Sequence, residues 1–297
     1  MKHAFLIMAH HQEPVLKALL KALDNERVDI FIHIDKKSNI DISELKKCAG
    51  VSNLYFTERV AVSWGGYSTI LAEYMLIRDA IEKGVYDYYH FLTGQDFLLK
   101  PIDRILDEFE GKEENYICFK DEADAHVDRL KYYYFFQNKV GRNRKGMLYV
   151  FQRAIRKAQK LVRFSRKLPD EIGFGSAYFD ITKDFANYIV EHFNKWQKVF
   201  KYTYIADELF IQSMYLEYKR TTACRLSSMC SHDIGTVHRA DAAINRAIDW
   251  KRGNPYIWKA DDFEFLRNSN LMFVRKIDET ESSGLMRLLI PVVLSSN

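Results

Sequence analysis

The feature that most constrains this chain is the alternation of short apolar runs with amphipathic stretches through its first 120 residues. AFLIMAH at 4–10 is an apolar run of strand length. Pro14 then opens a helical pattern through Val15, Leu16, Leu19, Leu20 and Leu23, because proline suits a first turn. DIFIHID at 29–35 and NLYFTE at 53–58 are further strand-like runs. TILAEYMLIRDAIEKG at 69–84 reads as a helix stopped at Gly84, and YDYYHFLTG at 86–94 and NYICFKD at 115–121 read as two more strands. Strand, helix and strand joined by short links imply an α/β fold, with a mostly parallel central sheet flanked by helices. Such sheets bind ligands at the carboxyl ends of their strands.

The second half is less regular. GFGSAYFDITKDF at 173–185 suggests a strand or turn leading into a helix at about 183–196, and 205–218 reads as a helix. Residues 220–229 read as extended, and 261–278 as a helix followed by a short strand. No repeat, low-complexity tract or clean boundary interrupts the 297 residues, so we read one continuous domain carrying an insertion.

No apolar run approaches the roughly 18 residues needed to cross a bilayer. The apolar stretch near the N-terminus is too short for a signal peptide, so the expected location is the cytoplasm. Cys48, Cys118, Cys224 and Cys230 form no CxxC pair, which argues for reduced thiols rather than a disulfide framework or a zinc knuckle.

Charge is unevenly spread. The formal net charge is +4, yet residues 139–168 hold 11 Lys and Arg and no Asp or Glu. The rest of the chain keeps 33 basic residues against 40 acidic ones. Within the basic arm Leu148, Phe151, Ile155, Ala158 and Val162 recur at helical spacing, and Arg153, Arg156, Lys160, Arg163 and Lys167 follow on another face. This is an amphipathic helix with a cationic side. Two readings stay open: a solvated face on a packed helix, or residues 148–167 lying on anionic lipid or gripping an anionic acceptor. Nucleic acid is not expected as a partner, because the positive charge is confined to one helix and no nucleic-acid motif accompanies it.

Polar residues gather where the strands stop: His10 and His11 after the first, Asp35 after the second, Gln95 and Asp96 after the fourth. Asp35 fits a nucleoside contact or a simple turn. No GxGxxG follows the first strand, and no GxxxxGK[ST] or HExxH occurs, which removes the dinucleotide, P-loop and common zinc readings. VSWGGYS at 62–68 offers two glycines for close approach of backbone to a ligand, or a tight turn beside Trp64. In TGQDF a single carboxylate, Asp96, stands where a DxD would hold a metal, and one Asp is a poor divalent site. Basic residues in DWKRGNP at 249–255 or FVRKID at 273–278 would then have to neutralise a bound diphosphate. Asp207 and Glu208 open a helix, where carboxylates often serve only the helix dipole.

Taken together, HIDKKS (33–38), VSWGGYS (62–68), YYHFLTGQDFLL (88–99), GSAYFDIT (175–182), ADELF (206–210), AIDWKRGNP (247–255) and LMFVRKID (271–278) resemble the core-2/I-branching β-1,6-N-acetylglucosaminyltransferase family, whose relatives include peptide O-xylosyltransferases. The resemblance runs from residue 4 to about 278 and is weakest at 123–170. It implies a glycosyltransferase-A-type fold and an inverting transfer from a UDP-sugar, most simply UDP-GlcNAc, to a hydroxyl of a glycan or lipid-linked oligosaccharide, forming a β-linkage such as β-1,6. No metal or other cofactor is implied. The family's general base matches Glu208, with Ala206 in place of the family's proline. The basic pair for the diphosphate matches Lys276 and, across a one-residue gap that also leaves Lys251 open, Arg252. Asp35 matches the uridine contact, while an aromatic uridine contact of some members falls on Ala61. Trp250 matches an acceptor-sugar contact. On this reading His10, Asp35, Trp64, Gly65, Asp96, Arg252 and Lys276 serve the donor, and Ser176, Tyr178, Asp207 and Trp250 the acceptor. The domain at 1–280 then divides into a nucleotide-binding half (1–122), the basic insertion (123–170) and an acceptor and catalytic half (171–280), with 281–297 as a tail. The short chain resembles bacterial members that build polysaccharide, peripheral to the inner face of the cytoplasmic membrane. Two alternatives remain: the same scaffold with UDP-xylose or UDP-galactose as donor, and a non-catalytic carbohydrate-binding protein. A hydrolase fits poorly, because it needs two carboxylates flanking the scissile bond.

Overall fold

His3–Ala9 forms β1, and its alternation sets the frame: Phe5, Ile7 and Ala9 enter one hydrophobic core while Ala4 and Leu6 enter the other. In this computed structural model, residues 1–120, 123–222, 233–234, 237–238 and 243–295 are described. The remaining strands are β2 (Val28–Ile34), β3 (Asn53–Phe56), β4 (Tyr88–Thr93), β5 (Asp96–Leu98), β6 (Tyr116–Ile117), β7 (Phe179–Thr182), β8 (Asp233–Ile234), β9 (Val237–His238), β10 (Arg246–Ile248) and β11 (Phe273–Arg275). The helices are α1 (Glu13–Ala22), α2 (Ile42–Leu45), α3 (Tyr67–Lys83), α4 (Ile102–Glu108), α5 (Ala123–His126), α6 (Asp128–Lys131), α7 (Gln137–Val140), α8 (Met147–Leu161), α9 (Lys183–Phe200), α10 (Asp207–Thr222), α11 (Phe263–Asn268) and α12 (Ser283–Leu294).

The central sheet has the order β3-β2-β1-β4-β7-β6. Its first four strands are parallel, and β7 runs antiparallel to both of its neighbours. The expected α/β architecture, a mostly parallel sheet flanked by helices, is therefore present. One face packs against α1, α4 and α12, the other against α3, α9 and α10. A second sheet, β10-β11-β5, joins the first core through Phe97, Phe273 and Val274.

Several boundaries differ from the sequence reading. Asp96–Leu98 is itself a strand, stabilised by antiparallel pairing with β11, a partner about 177 positions away by register (Val274 opposite Phe97) that no local pattern announces. The strand expected over 115–121 shrinks to Tyr116–Ile117, which pairs only with the short β7. The segment expected to be extended from 220 begins as the last turn of α10, and 223–229 lies outside the described residues, as do Cys224 and Cys230. Cys48 and Cys118 are buried and carry no disulfide. The stretch set apart as a tail contributes α12, whose Leu285, Leu289 and Val293 lie in the core.

One polar network crosses this apolar interior. Arg246 of β10 holds both oxygens of Asp180 at 3.0 Å, Asp180 bonds His90 Nδ1 at 2.9 Å, and His90 Nε2 bonds His3 Nδ1 at 2.9 Å. All four side chains are buried. Burial, aided by the neighbouring His90, pushes His3 down to about 2, so it stays neutral. Burial opposes ionisation of Asp180, but Arg246 and the His90 hydrogen bond outweigh it and lower its pKa.

Candidate functional site

Because β1 and β2 pair in register from His3 with Val28 to Ala9 with Ile34, they end level. The chain turns tightly there: Asp35 N–H donates to Ala9 O at 2.9 Å, and Gly94 N–H donates to Met8 O at 3.1 Å. His10, Asp35 and the turn before β5 are thus adjacent. The second sheet ends at the same edge, since Asp96 pairs with Arg275 and Ile248 also pairs with Arg275. The ends of strands from two sheets meet in one place.

His10 stacks on His11, ring centroids 3.8 Å apart. Burial and the neighbouring His11 push His10 down to about 4, against the pull of Asp35, and Arg142 and Arg275 lower it further. Burial and Lys276 likewise lower His11. Burial is the main cause in both; the positive charge that Arg142, Arg275 and Lys276 bring to this edge is what suits an anion. No hydrogen bond or ion pair engages Lys276 Nζ among the described residues.

The residues expected on the donor side have unequal freedom. Asp35 is buried; its Oδ1 accepts Lys37 N–H at 2.9 Å, the turn role that its position also allowed. Asp96 is 1% exposed and wholly engaged, accepting from Thr93 N–H at 2.5 Å and from Arg275 Nη1 at 3.1 Å. It forms the floor of the edge and holds Arg275 in place, with each carboxylate oxygen taken up by a protein donor. Arg252 donates from Nε to Asp249 at 2.5 Å and from Nη1 to Asp262 at 2.8 Å, and lies 3.9 Å over the Tyr256 ring. Only Nη2 is left without a partner among the described residues.

The WGG turn links this edge to the start of α10. Gly65 has φ +65, and a Cβ there would come 2.9 Å from Ile205 Cγ1, so glycine is needed both for its conformation and for space. Gly65 O accepts from Ile205 N–H at 2.8 Å, three residues before Glu208. Trp64 is part-exposed, with the Arg142 guanidinium 5.4 Å over its ring and Tyr204 edge-on at 6.1 Å.

Glu208 stands in the first turn of α10 with a third of its side chain open to solvent. Arg129 Nη1 holds its Oε2 at 2.5 Å and also donates to Ile205 O at 3.3 Å, which fixes the carboxylate against the helix entry. Oε1 has no partner among the described residues and is available to accept a proton. Beside it, Asp207 is pushed up to about 6 by burial and by Glu208, and its Oδ1 is enclosed without a partner among the described residues. Glu73 of α3 is fully enclosed, and neither of its oxygens has a partner among the described residues; burial and Asp207 raise it well above the usual carboxylate range.

The remaining expected acceptor residues border the same helix start. Gly175 N–H donates to Glu208 O at 3.0 Å, and Ser176 O accepts from Gln212 of α10 at 2.6 Å, so the 173–176 segment lies along the first turns of α10. Tyr178 is buried, its ring under Arg275 at 5.1 Å and its hydroxyl raised by burial. It therefore sits behind Arg275, part of the floor. Trp250 is part-exposed beside Lys120, 6.0 Å from its ring. Lys120 N–H bonds Phe174 O at 2.8 Å, and Phe174 lies under Arg129, so a run of contacts leads from Trp250 to the Arg129–Glu208 pair.

The sequence reading missed Arg129, Arg142 and Glu73. Arg129 lies in the region where the resemblance is weakest, and Arg142 was counted only as charge in the basic arm. No spacing relates either to its partner. Among the described residues, no group of three or more His, Cys, Asp or Glu is placed to hold a metal ion. A groove of about 980 Å³ at the opposite ends of β10 and β11, lined by Lys100, Arg104, Glu108, Glu264, Phe265 and Met272, contains none of the expected site residues.

A family model described as the core-2/I-branching enzyme matches residues 3–265 of this chain. Among curated proteins, xylosyltransferase sqv-6 of Caenorhabditis briggsae is 24% identical over 298 residues, covering 93% of this chain and 35% of its own. Xylosyltransferase 2 of Homo sapiens is 22% identical over 302 residues, covering 96% of this chain and 33% of its own. The chain thus spans about a third of the length of these relatives. Among solved structures, mouse xyloside xylosyltransferase 1 aligns at TM-score 0.36 and 9% identity, covering 94% of this chain and 98% of that one. Residues 1–349 of S. aureus TarS align at 0.30 and 12%, covering 75% and 73%. Structural likeness at such scores carries no functional weight.

Proposed function

The chain belongs to the core-2/I-branching enzyme family, and from that premise we propose that it is an inverting glycosyltransferase. It moves a sugar from a UDP-sugar to a hydroxyl of a glycan or lipid-linked acceptor. The observation that carries this reading is the part-exposed Glu208 carboxylate, clamped on one oxygen by Arg129 and without a partner on the other among the described residues, at a helix start that the Trp64–Gly65 turn holds through Ile205. Glu208 Oε1 accepts the proton of the acceptor hydroxyl as that oxygen attacks the anomeric carbon from the side opposite UDP. The bond from the anomeric carbon to the phosphate oxygen breaks, its electron pair leaves on UDP, and an α-linked donor becomes a β-linked product.

Lys276, with its ammonium unengaged, supports the departing diphosphate at the strand edge, assisted by Nη2 of Arg252. Asp35 contacts the nucleoside next to His10. Trp250 presents an aromatic face for an acceptor sugar. With cationic side chains supplying the charge, the transfer proceeds without a metal. The donor sugar on this reading is GlcNAc; the xylosyltransferase names of the curated relatives favour xylose as the second reading.

With EDTA present throughout, the purified chain is expected to bind UDP and to transfer sugar from UDP-GlcNAc or UDP-xylose. Glu208→Gln keeps UDP binding and loses at least about 100-fold in turnover, the usual contribution of a general base. Turnover surviving in the Gln variant removes Glu208 as base. Activity that needs added Mn²⁺ removes the metal-free mechanism.

A further inference from the structure

α8 shows an apolar stripe to solvent. Met147, Phe151, Ala154, Ala158 and Leu161 recur at alternating steps of four and three, which makes one stripe, and all five are exposed. Met147 is 86%, Phe151 55% and Leu161 85% exposed, far from the burial expected of an amphipathic helix packed on a body. The helix is instead held mainly through its polar edge, with one ring contact from the stripe, Phe151 on Phe136 at 5.7 Å between centroids. Gln152, its one buried residue, accepts Phe136 N–H at 3.0 Å and donates to Gln137 at 3.0 Å. Gln159 accepts Tyr133 N–H at 2.9 Å and donates to Tyr133 O at 3.1 Å.

Beside the apolar stripe stand Arg153 and Lys157, both exposed and neither matched by a carboxylate among the described residues. The whole segment 139–168 contains no acidic residue. A second copy of the chain meeting this face symmetrically would bring like charges together, which disfavours self-association. A nucleic acid would use the cations and leave the apolar stripe in water. An anionic bilayer satisfies both. No helix of the described residues is long and apolar enough to cross a membrane, so the contact is one of lying on the surface.

We propose that α8 lies flat on an anionic lipid bilayer, its Met147–Phe151–Leu161 stripe sunk at the headgroup boundary and Arg153 and Lys157 set against lipid phosphates. The contact would reach the candidate site through one residue, since Gln137, bonded to Gln152, also donates to Trp64 O at 3.1 Å. The inference stands on α8 alone and does not depend on the transferase reading.

The test is co-sedimentation of the full chain with phosphatidylcholine vesicles, with and without phosphatidylglycerol. Binding is expected only with phosphatidylglycerol, and weaker at high salt. Arg153→Glu with Lys157→Glu should reduce the partition at least about tenfold, each lost cation being worth about 1 kcal/mol at such a surface. Phe151→Asp with Leu161→Asp should abolish binding although the cations remain. All four side chains are exposed, so unchanged circular dichroism is the folding control. No binding to either vesicle, equal binding to both, or full binding by the Phe151/Leu161 variant overturns the proposal. So does a concentration-dependent dimer, seen by light scattering, that those two substitutions dissolve, for then a second copy covers the stripe.

Discussion

Glu208 and Asp207 are consecutive, yet they meet different surroundings: the first is part-exposed against Arg129, and the second has one oxygen enclosed near Glu73. Adjacency on a helix turns neighbouring side chains by about 100°, which is enough to give the two acids different partners. Asp207 has a folded pKa of about 6 against an ordinary 3.8, so the folded state binds the extra proton between those values. Stability from that proton is fully present below the unfolded value and is lost as pH rises through about 6. Asp207→Asn should therefore be nearly neutral at about pH 4 and stabilising by on the order of 1–2 kcal/mol above pH 7. Thermal unfolding of the two proteins across that range checks the sign; a variant advantage that shrinks as pH rises would refute the assignment. The two acids at the helix start were legible in the sequence. Their division of labour was not, because it depends on Glu73 and Arg129, far away in the chain.

At the level of elements, α10 is positioned by the irregular 173–176 segment. A Cβ at Gly175 would fall 1.9 Å from Cys118 O, a backbone atom that cannot step aside, and one at Gly173 would fall 2.6 Å from Gln212 Cβ. Both glycines let two backbones approach, and Gly175 N–H then bonds Glu208 O at 3.0 Å. Gly175→Ala is expected to cost about 2–4 kcal/mol in urea unfolding, as overpacking against backbone does. It should also lower transfer more than UDP binding, because it displaces α10 rather than the strand edge. The sequence pattern located α9 and most of α10, since each is long and patterned, but left a strand or turn open around β7 and read the last turn of α10 as extended. It had no means to see β5, three residues held by antiparallel pairing with β11. It also read α8 as amphipathic but left open what its apolar face meets, because periodicity fixes which residues share a face and says nothing of what lies opposite.

Across the whole molecule, residues 3, 90, 180 and 246 form a continuous buried chain from β1 through β4 and β7 to β10, tying the strands of both sheets together. Arg246→Met removes the cation that compensates Asp180 and is expected to cost about 3–5 kcal/mol, the penalty for leaving a buried charge alone. Urea unfolding measures it, and a loss under about 1 kcal/mol would mean that His90 alone suffices for Asp180. The amino-acid sequence by itself determined the α/β class, the gathering of polar residues at the strand ends, the family resemblance and the positions of Glu208, Lys276 and the WGG turn. These come from local periodicity and short motifs, which are properties of neighbouring residues. Only the tertiary structure decided which charges are free. It closed Asp96 onto Arg275, clamped Arg252 between Asp249 and Asp262, set Arg129 against Glu208, and turned the apolar stripe of α8 outward. The physical reason is that a side chain's burial and partners are set by contacts between segments far apart in the chain, and residue type and spacing alone do not encode which segments those are.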